Sequence, residues 1–411
     1  MMESSLKFCM VSTFYPPFNF GGDGMHVYRL SNELARRGHT VDVFYCEDSF
    51  LFMNGTPPTS TFPNHRRITL YPLKSSVGFL SPLTTHQTGV PFFKGKLKEA
   101  LEGNNYDVIH YNNMSLIGIK ALSYGSAIKL YTMHEHWLVC PMHVLWKNNR
   151  EVCTKPSCLS CQLRGKRPPQ LWRSTGLMAK MLEHIDCFLS PSRFTLQKHL
   201  DMGLDVPIEH HPYFLPRDKD RADIPTSKNG TKPYFLFVGR LEYIKGVQNL
   251  IEVFRSRPEF NLKIAGDGAY RPDLELSAKG CPNIEFLGRL TQDQLADNYK
   301  SAVAVIVPSI CYETFGIIII EAFSYQTPVI VNDLGALPEV VEDSNGGFIY
   351  RTEEELLDAM NKLVADPNLR AEMGNNGYRA YLKEWNEEPH LNRYFRLIDS
   401  IKNRNITGSD Q

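Results

Sequence analysis

The sequence VPSICYETFGIIIIE, residues Val307–Glu321, decides the fold class of this chain. Its four consecutive isoleucines, Ile317–Ile320, are β-branched, and by propensity alone they favour a strand. Apolar runs typical of strands lie on either side, at 302–307 and 328–331. Two parallel strands need a crossover between them, and that crossover is usually helical. We therefore predict a helix that begins near Phe315 and a parallel sheet around it.

Two glutamates, Glu313 and Glu321, flank the start of this predicted helix. A rise of about 1.5 Å per residue places their carboxylates roughly 10 Å apart. That separation is too large for one general acid/base pair, but it suits two contacts with one elongated ligand. The helix N-terminus between them offers backbone N–H groups to an anion such as a diphosphate.

Length and composition predict two domains and exclude some functions. The chain has 411 residues, more than one hydrophobic core usually serves. Its 45 Lys and Arg balance 45 Asp and Glu, so we expect no nucleic-acid partner. Residues 1–6 show no secretory signal, and no apolar stretch reaches the about 18 residues of a spanning helix. We expect a cytoplasmic protein, with peripheral contact at the inner face of a membrane left open.

Residues 1–212 are predicted to form the first α/β domain. A strand over 7–12, a helix over 25–37 and a strand over 41–45 make one βαβ unit. The connecting loop contains Gly21-Gly22 and ends near the helix, an arrangement that lets backbone approach a phosphate or sugar. A plain turn is the alternative.

His134 is a candidate ligand-facing residue. Strands predicted over 107–111 and 129–133, with a helix over 116–124 between them, continue the alternation of a doubly wound parallel sheet. His134 follows the second of these strands, at the edge where open α/β sheets bind ligands. A hydrogen-bonded structural histidine is the alternative.

A cysteine-rich insert occupies residues 140–161. Its last two cysteines have the two-residue spacing that lets adjacent thiolates bind one tetrahedral Zn²⁺ or a cluster iron. The other gaps match no specific signature, and disulfides or a redox switch are alternatives. Four cysteine ligands would leave no open coordination position, so we predict a structural metal rather than a catalytic one. The predicted ligands are Cys140, Cys153, Cys158 and Cys161.

The stretch from Lys147 to Lys180 carries eight basic residues and one acid, Glu151. Apolar side chains such as Leu171 and Trp172 are interleaved with them. This mixture suits anionic lipid head groups or an acidic acceptor. A solvated charged face fits the pattern equally well.

The βαβ pattern restarts at residue 233. Residues 213–232 are polar, irregular and typical of a linker. Strands and helices alternate again over 233–380, which predicts a second α/β domain, and 381–411 is predicted to be a helical tail that crosses back to the first. We expect the ligand site in the cleft between the two domains.

Groups suited to a diphosphate follow successive strands of the second domain. Arg240 and Lys245 come after its first strand, and two cations beside a helix N-terminus hold phosphates without a metal. Gly266 and Gly288 end the next two strands, where backbone can approach a base closely. Single surface cations are usually only solvated, but this order at successive strand ends favours a ligand site.

Taken together, these motifs resemble the retaining, nucleotide-sugar-dependent glycosyltransferases of family 4. The resemblance implies the GT-B architecture of two Rossmann-like domains. Glu135 departs from the family pattern, which more often has Asp after the histidine. The motifs that carry the resemblance are GGDG at 21–24, His134-Glu135, VGRLEYIKG at 238–246, AGDG at 265–268, FLGRL at 286–290, the pair Glu313 and Glu321, and GALPEVV at 335–341.

The resemblance also implies a role for each matching residue. Arg240 and Lys245 would bind the donor diphosphate and stabilise the departing nucleotide. Glu313 would contact the donor sugar and Glu321 the ribose, with His134 facing the sugar from the first domain. Further donor-binding positions are Gly21, Gly22, Gly239, Gly266, Gly288, Phe315, Gly316 and Ile317.

The resemblance implies transfer of a sugar from a UDP- or GDP-sugar to a saccharide or lipid-linked acceptor, in polysaccharide or glycoconjugate biosynthesis. Reaction on one face of the sugar, with the leaving phosphate deprotonating the acceptor, would need no catalytic divalent metal. A sugar-nucleotide 2-epimerase and a non-catalytic sugar-nucleotide-binding protein are the alternatives.

Overall fold

The computed structural model describes residues 5–217 and 232–408. They form two compact units. The first comprises Met1–Pro212 and Leu391–Gln411, and the second comprises Tyr213–His390. Most of the predicted linker, residues 218–231, lies outside the described residues.

The first unit is built on a parallel sheet, with a small antiparallel hairpin in the cysteine-rich insert that the sequence did not predict. Its strands are β1 Lys7–Val11, β2 Thr40–Cys46, β3 Ile68–Leu73, β4 Val108–Tyr111, β5 Ile128–Thr132, β6 Trp146–Lys147, β7 Glu151–Val152, β8 Cys187–Ser190 and β9 Ile208–His210. The seven-stranded sheet has the order β3-β2-β1-β4-β5-β8-β9, and β6 pairs with β7. The central strands β4, β5 and β8 are buried along their whole length, as is typical of parallel sheets covered on both faces.

Helices cover this sheet. They are α1 Gly22–Arg36, α2 Glu47–Asn54, α3 Leu80–Thr88, α4 Lys94–Gly103, α5 Cys158–Arg164, α6 Leu177–Leu182 and α7 Arg193–Asp201, with 3₁₀ turns at Ile119–Ser123, His136–Leu138 and Leu171–Thr175. The α-helix predicted over 116–124 is therefore wrong, because only the short 3₁₀ turn forms there. Gly118 precedes that turn at a φ of 110°, outside helical geometry.

The second unit is a six-stranded parallel sheet in the order β12-β11-β10-β13-β14-β15. Its strands are β10 Tyr234–Val238, β11 Asn261–Ala265, β12 Ile284–Gly288, β13 Val305–Val307, β14 Val329–Asn332 and β15 Gly347–Tyr350. Its helices are α8 Val247–Ser256, α9 Arg271–Ser277, α10 Gln292–Ser301, α11 Ile317–Ser324, α12 Leu337–Ser344, α13 Glu353–Ala365 and α14 Pro367–Glu384, with a 3₁₀ turn at Tyr243–Lys245.

The isoleucine run forms a helix, as its context predicts. Helix α11 begins at Ile317, two residues after the predicted start, and Gly316 precedes it with a φ of 90°. Ile319 and Ile320 are completely buried. Each isoleucine costs a helix less than about 0.7 kcal/mol in propensity, whereas burying it contributes about 1.5–3 kcal/mol. Burial in the hydrophobic cluster that also contains Val305 of β13 and Val329 of β14 therefore outweighs the strand preference.

The last helix, α15 Glu387–Gly408, contributes its residues from Leu391 onward to the first unit. Tyr394 lies completely buried among first-unit residues, with its ring 6.2 Å from that of Phe8 on β1. Its hydroxyl is hydrogen-bonded to Nδ1 of His110 on β4 at 2.9 Å. The C-terminal helix is thus part of the core of the first unit.

Among the described residues, no helix combines the length and the apolar composition needed to cross a membrane.

Candidate active site

The strand order of the second unit has a switch point between β10 and β13. From β10 the chain proceeds to β11 and β12 on one side, whereas β13, β14 and β15 extend the sheet on the other. In open α/β sheets, ligands bind beyond the carboxyl ends of the strands at such a point. The segments that follow β10 and β13 carry Lys245 and Glu313.

Lys245 and Glu313 form a close ion pair at this switch point. The Lys245 Nζ atom lies 2.6 Å from Oε1 of Glu313, and both side chains are about four-fifths buried. The hydroxyl of Ser309 donates a second hydrogen bond to the same oxygen, at 2.6 Å. Both bonds end on Oε1, and among the described residues no hydrogen bond is made to Oε2. The pair therefore presents one carboxylate oxygen to a ligand.

The electrostatics of this pair keep both groups charged. Burial opposes the charge of Glu313, but Lys245, the Ser309 hydroxyl and Arg240 outweigh it and lower the pKa of Glu313 below its ordinary value. Burial also opposes the charge of Lys245, but Glu313 outweighs it and raises the lysine pKa. At neutral pH the site therefore contains an ammonium and a carboxylate in contact.

Glycines allow the three loops of the site to touch. Gly246 has a φ of 74°, and a Cβ there would lie 2.0 Å from the carbonyl oxygen of Pro308. Gly335 has a φ of 67°, and its Cβ would lie 2.9 Å from the amide nitrogen of Glu313. The amide of Ala336 then donates to the Glu313 carbonyl at 3.2 Å. The segments after β10, β13 and β14 are thus pressed together around the ion pair.

Arg240 lies within electrostatic range of the pair. Its guanidinium is half exposed and lies 2.8 Å from Glu242. Its positive charge helps to lower the pKa of Glu313 and opposes the rise in the pKa of Lys245. The structure thus brings three predicted catalytic residues together: Arg240, Lys245 and Glu313.

Glu321 occupies the second turn of α11, whose N-terminus follows Phe315 and Gly316. Its Oε2 accepts a hydrogen bond from the hydroxyl of buried Tyr299 at 3.2 Å. The sequence did not single out Tyr299 or Ser309 as site residues. Ser309 lies two residues after β13, and a lone tyrosine on α10 carries no sequence signal for its contact with Glu321.

The predicted glycines at the carboxyl ends of β10, β11 and β12 contact one another. A Cβ at Gly266 would lie 1.8 Å from the Gly239 carbonyl oxygen. The amide of Gly266 donates to the Gly288 carbonyl at 2.8 Å. Close packing of strand-end turns therefore accounts for Gly266, and the binding of a base against these glycines stays a prediction.

In the first unit, His134 is buried beyond β5. Nε2 of His134 lies 2.9 Å from Oδ1 of Asn112, whose side-chain amide donates to the His110 carbonyl. This orientation of Asn112 makes Nε2 of His134 the donor. Burial lowers the pKa of His134 to about 3, so the imidazole is neutral at physiological pH. Its ring meets that of His26 edge to face, with centroids 5.4 Å apart.

Gly21 and Gly22 lie at the N-terminus of α1, which begins three residues earlier than predicted. No side chain caps this end of the helix. Asn19 donates from its side chain to the Gly21 carbonyl at 2.8 Å and lies so close to Gly24 that a Cβ there would be 2.4 Å from Oδ1. The glycines thus form a tight turn into a 15-residue helix, the kind of terminus that accepts an anion.

The four cysteines of the insert line one small cavity, together with Met142 and Trp146. Three of them are buried and Cys158 is exposed. As arranged in residues 5–217 and 232–408, no three His, Cys, Asp or Glu side chains are placed to hold a metal ion. The amide of Asn148 donates to the Cys161 sulfur at 3.3 Å, and burial raises the pKa of Cys140 to about 11. The structure thus brings the four residues together, and their metal binding stays a prediction.

Two family models match the chain, one for each unit. Residues 20–212 match the model described as glycosyltransferase family 4, and residues 218–380 match that of glycosyl transferases group 1. This chain belongs to glycosyltransferase family 4. Its two parallel α/β units are those of the GT-B fold, and it is a glycosyltransferase enzyme.

Two relatives are similar to this glycosyltransferase over most of its length, and one solved structure has a similar fold. The uncharacterized glycosyltransferase MJ1607 of Methanocaldococcus jannaschii is 25% identical, over 90% of this chain and 92% of its own. The O-antigen chain mannosyltransferase C of Escherichia coli is 23% identical, over 95% and 96%. The crystal structure of Anabaena Alr3699/HepE in complex with UDP and glucose superposes with a TM-score of 0.68 at 16% identity, and covers 96% of this chain and all of its own.

Proposed function

We propose that this glycosyltransferase is a retaining enzyme that takes its sugar from a UDP- or GDP-sugar and transfers it to a saccharide or lipid-linked acceptor in polysaccharide or glycoconjugate biosynthesis. The observation that carries the proposal is the ion pair of Lys245 and Glu313 at the switch point of the second unit. Two relatives support it. HepE was crystallised with UDP and glucose, and the E. coli relative is named a mannosyltransferase of the O-antigen chain.

In this proposal, the second unit binds the nucleotide sugar. Lys245 and Arg240 hold the diphosphate and neutralise the charge that grows on it as the bond to the sugar breaks. Amides at the N-terminus of α11, from Gly316 and Ile317, add to this stabilisation. Glu321 accepts hydrogen bonds from the ribose hydroxyls.

Glu313 positions the sugar. Its Oε1 is held by Lys245 and Ser309, so the carboxylate cannot rotate freely, and Oε2 accepts a hydrogen bond from a sugar hydroxyl. Because its lowered pKa keeps it ionised, it acts as an acceptor and not as an acid. The leaving phosphate itself takes the proton of the acceptor, so catalysis is positioning and electrostatic stabilisation.

His134 is proposed to serve the same reaction from the first unit. Its low pKa makes it a neutral hydrogen-bonding group, unsuited to act as a general acid at neutral pH. We propose that it contacts a hydroxyl of the donor sugar, and that the glycine turn before α1 lies near the phosphates or the acceptor.

We also propose that the insert binds a structural zinc ion through Cys140, Cys153, Cys158 and Cys161. The proposal rests on four thiols around one cavity, a donor set that suits tetrahedral zinc. Metal analysis of protein purified under reducing conditions should find one zinc per chain, which Cys158→Ser/Cys161→Ser should lose. Protein without metal and with all four thiols open to alkylation would contradict it.

A donor screen tests the proposed function. The protein is incubated with labelled UDP- and GDP-sugars and acceptors, and the products are read by mass and by the configuration of the new anomeric carbon. Transfer with retained configuration and release of the nucleoside diphosphate is the expected result. An epimeric nucleotide sugar would indicate an epimerase, and binding without turnover would indicate a sugar-nucleotide sensor; either result contradicts the proposal.

A further inference from the structure

The first unit exposes an unusual concentration of large apolar side chains. Of the fourteen that are exposed among the described residues, nine belong to one group of neighbouring segments: α2, the turn into α3, α3 and its C-terminal loop, α5 and the 3₁₀ turn after it. We call these nine the apolar surface. They are Phe52, Met53, Val77, Phe79, Leu80, Phe92, Leu159, Leu163 and Leu171.

Specific contacts hold these segments side by side. The Ser81 hydroxyl on α3 donates to Asp48 on α2 at 2.7 Å. The indole N–H of Trp172, in the 3₁₀ turn, donates to the His86 carbonyl on α3 at 2.9 Å. Arg167, three residues after α5, lies within electrostatic range of His86, whose pKa is lowered mainly by burial and further by His143 and Arg167. The apolar side chains therefore protrude from a packed framework.

Leu159 and Leu163 are exposed on the same face of one helix. They lie four residues apart on α5, so they share one helix face, and they are 57% and 61% exposed. Leu171 follows at 70% exposure. Single exposed leucines are ordinary, but a group of this size marks an interaction surface.

The charges around α5 have one sign. Residues 152–182 contain no aspartate or glutamate. Their exposed cations make no ion pair among the described residues. Those that lie on α5 or within three residues of it are Lys155, Arg164, Lys166 and Arg167.

We propose that the apolar surface and these four cations dock the first unit on a membrane that contains anionic lipid. The leucines and phenylalanines enter the boundary between head groups and acyl chains, and the cations contact the head-group phosphates. A purely acidic polysaccharide would use the cations but would leave the leucines in water. The inference goes beyond the proposed function, because lipid binding is measured without any transfer reaction.

Sedimentation with vesicles tests this proposal. The full-length protein should pellet with vesicles of phosphatidylcholine and phosphatidylglycerol, and remain in the supernatant with phosphatidylcholine alone. High salt should weaken the binding. Leu159→Ser/Leu163→Ser and Arg164→Glu/Arg167→Glu should each weaken it at least about fivefold, since each cation near an anionic surface contributes a factor of about five.

Two matched controls distinguish binding through the apolar surface from nonspecific hydrophobic binding. Leu276 in the second unit is 71% exposed, and Leu200 on α7 is 41% exposed. Leu276→Ser and Leu200→Ser should pellet like the wild type, and all variants should keep its melting temperature. Failure to pellet with anionic vesicles, equal loss in the controls, or concentration-dependent dimers that Leu159→Ser/Leu163→Ser abolishes would each overturn the proposal.

Discussion

At the residue scale, the ion pair of Lys245 and Glu313 is better explained by a role in the reaction than by a contribution to the stability of the fold. Taking two charges out of water costs several kcal/mol per ion, and replacing such a pair by apolar residues is often neutral or stabilising. The pair is about four-fifths buried at 2.6 Å and shares its carboxylate with Ser309. A function for the two charges accounts for this arrangement, whereas the stability of the fold does not require it.

Glu313→Gln should lower the rate of sugar transfer about 100-fold, within the range found when one preorganised electrostatic group is removed. Glutamine keeps the shape of the side chain but removes the charge that holds Lys245. Transfer kinetics with the donor found in the screen measure the effect. Glu285→Gln is the control, because Glu285 is an exposed glutamate in a loose 3.9 Å ion pair of the same unit. Equal rates for Glu313→Gln and the wild type would remove Glu313 from the site.

The buried histidines of the first unit should make its stability sensitive to acid. Burial lowers the pKa of His134 and of His211 to about 3, from an ordinary value of 6.5. Both are neutral when folded, so below pH 6.5 the unfolded chain binds protons that the folded chain does not. The free energy of unfolding should therefore be constant above about pH 7 and fall from pH 6.5 towards pH 3.

Urea unfolding at several pH values measures this dependence. Each such histidine should lower the free energy of unfolding by up to about 2 kcal/mol between neutral pH and about pH 5. His134→Gln keeps a donor for Asn112 and should make the dependence on pH shallower. A slope unchanged in His134→Gln would show that His134 is not a buried neutral group.

At the scale of the element, the site depends on loops that touch at glycines. Gly246 and Gly280 both have positive φ angles, 74° and 85°, but a Cβ at Gly280 meets nothing within 4 Å. Gly280→Ala should therefore cost only the backbone strain, about 1–2 kcal/mol. Gly246→Ala should cost more and also reduce transfer, because its Cβ would meet the Pro308 carbonyl at 2.0 Å. Chemical unfolding and transfer assays of the two variants compare them, and equal losses would contradict the account.

The first unit should need helix α15 for its stability. Tyr394, Ile398 and Ile401 are completely or almost completely buried, and the Tyr394 hydroxyl bonds with His110. Tyr394→Phe should lower the free energy of unfolding by about 1 kcal/mol, the usual contribution of one hydrogen bond. Deletion of residues 391–411 should expose the apolar side of the sheet and cause aggregation. A soluble, fully stable deletion variant would contradict this role.

The elements show how far the sequence predicts the structure. The alternation of strands and helices indicates both parallel sheets, and the crossover argument predicts α11 in spite of four isoleucines. The segment 116–124 is different, because the sequence predicts a helix there, whereas the backbone at Gly118 has a positive φ and only a 3₁₀ turn follows it. The hairpin of β6 and β7 has two residues per strand, too few for a pattern to predict.

The candidate active site, too, is only partly predictable from the sequence. Lys245 and Glu313 are predictable because each follows a strand that the apolar pattern of the sequence predicts. Ser309 and Tyr299 reach the two glutamates through contacts between distant segments, which no local spacing encodes. The positive φ of Gly246 and of Gly335 likewise follows from the close approach of separate loops.

At the scale of the whole molecule, the central claim is that the second unit of this glycosyltransferase binds the diphosphate of the donor through Lys245. Calorimetric titration of UDP and GDP into wild-type protein and Lys245→Ala tests it most directly. Lys362→Ala is the matched control, because Lys362 forms an ion pair of the same 2.6 Å length on the exposed face of α13.

Lys245→Ala should weaken the binding of the preferred nucleoside diphosphate at least about tenfold, since a charge-assisted hydrogen bond contributes about 1.5–3 kcal/mol. Lys362→Ala should bind like the wild type, and the matching nucleoside without phosphates should not distinguish the three proteins. A Lys245→Ala variant that binds the diphosphate as tightly as the wild type would contradict the account.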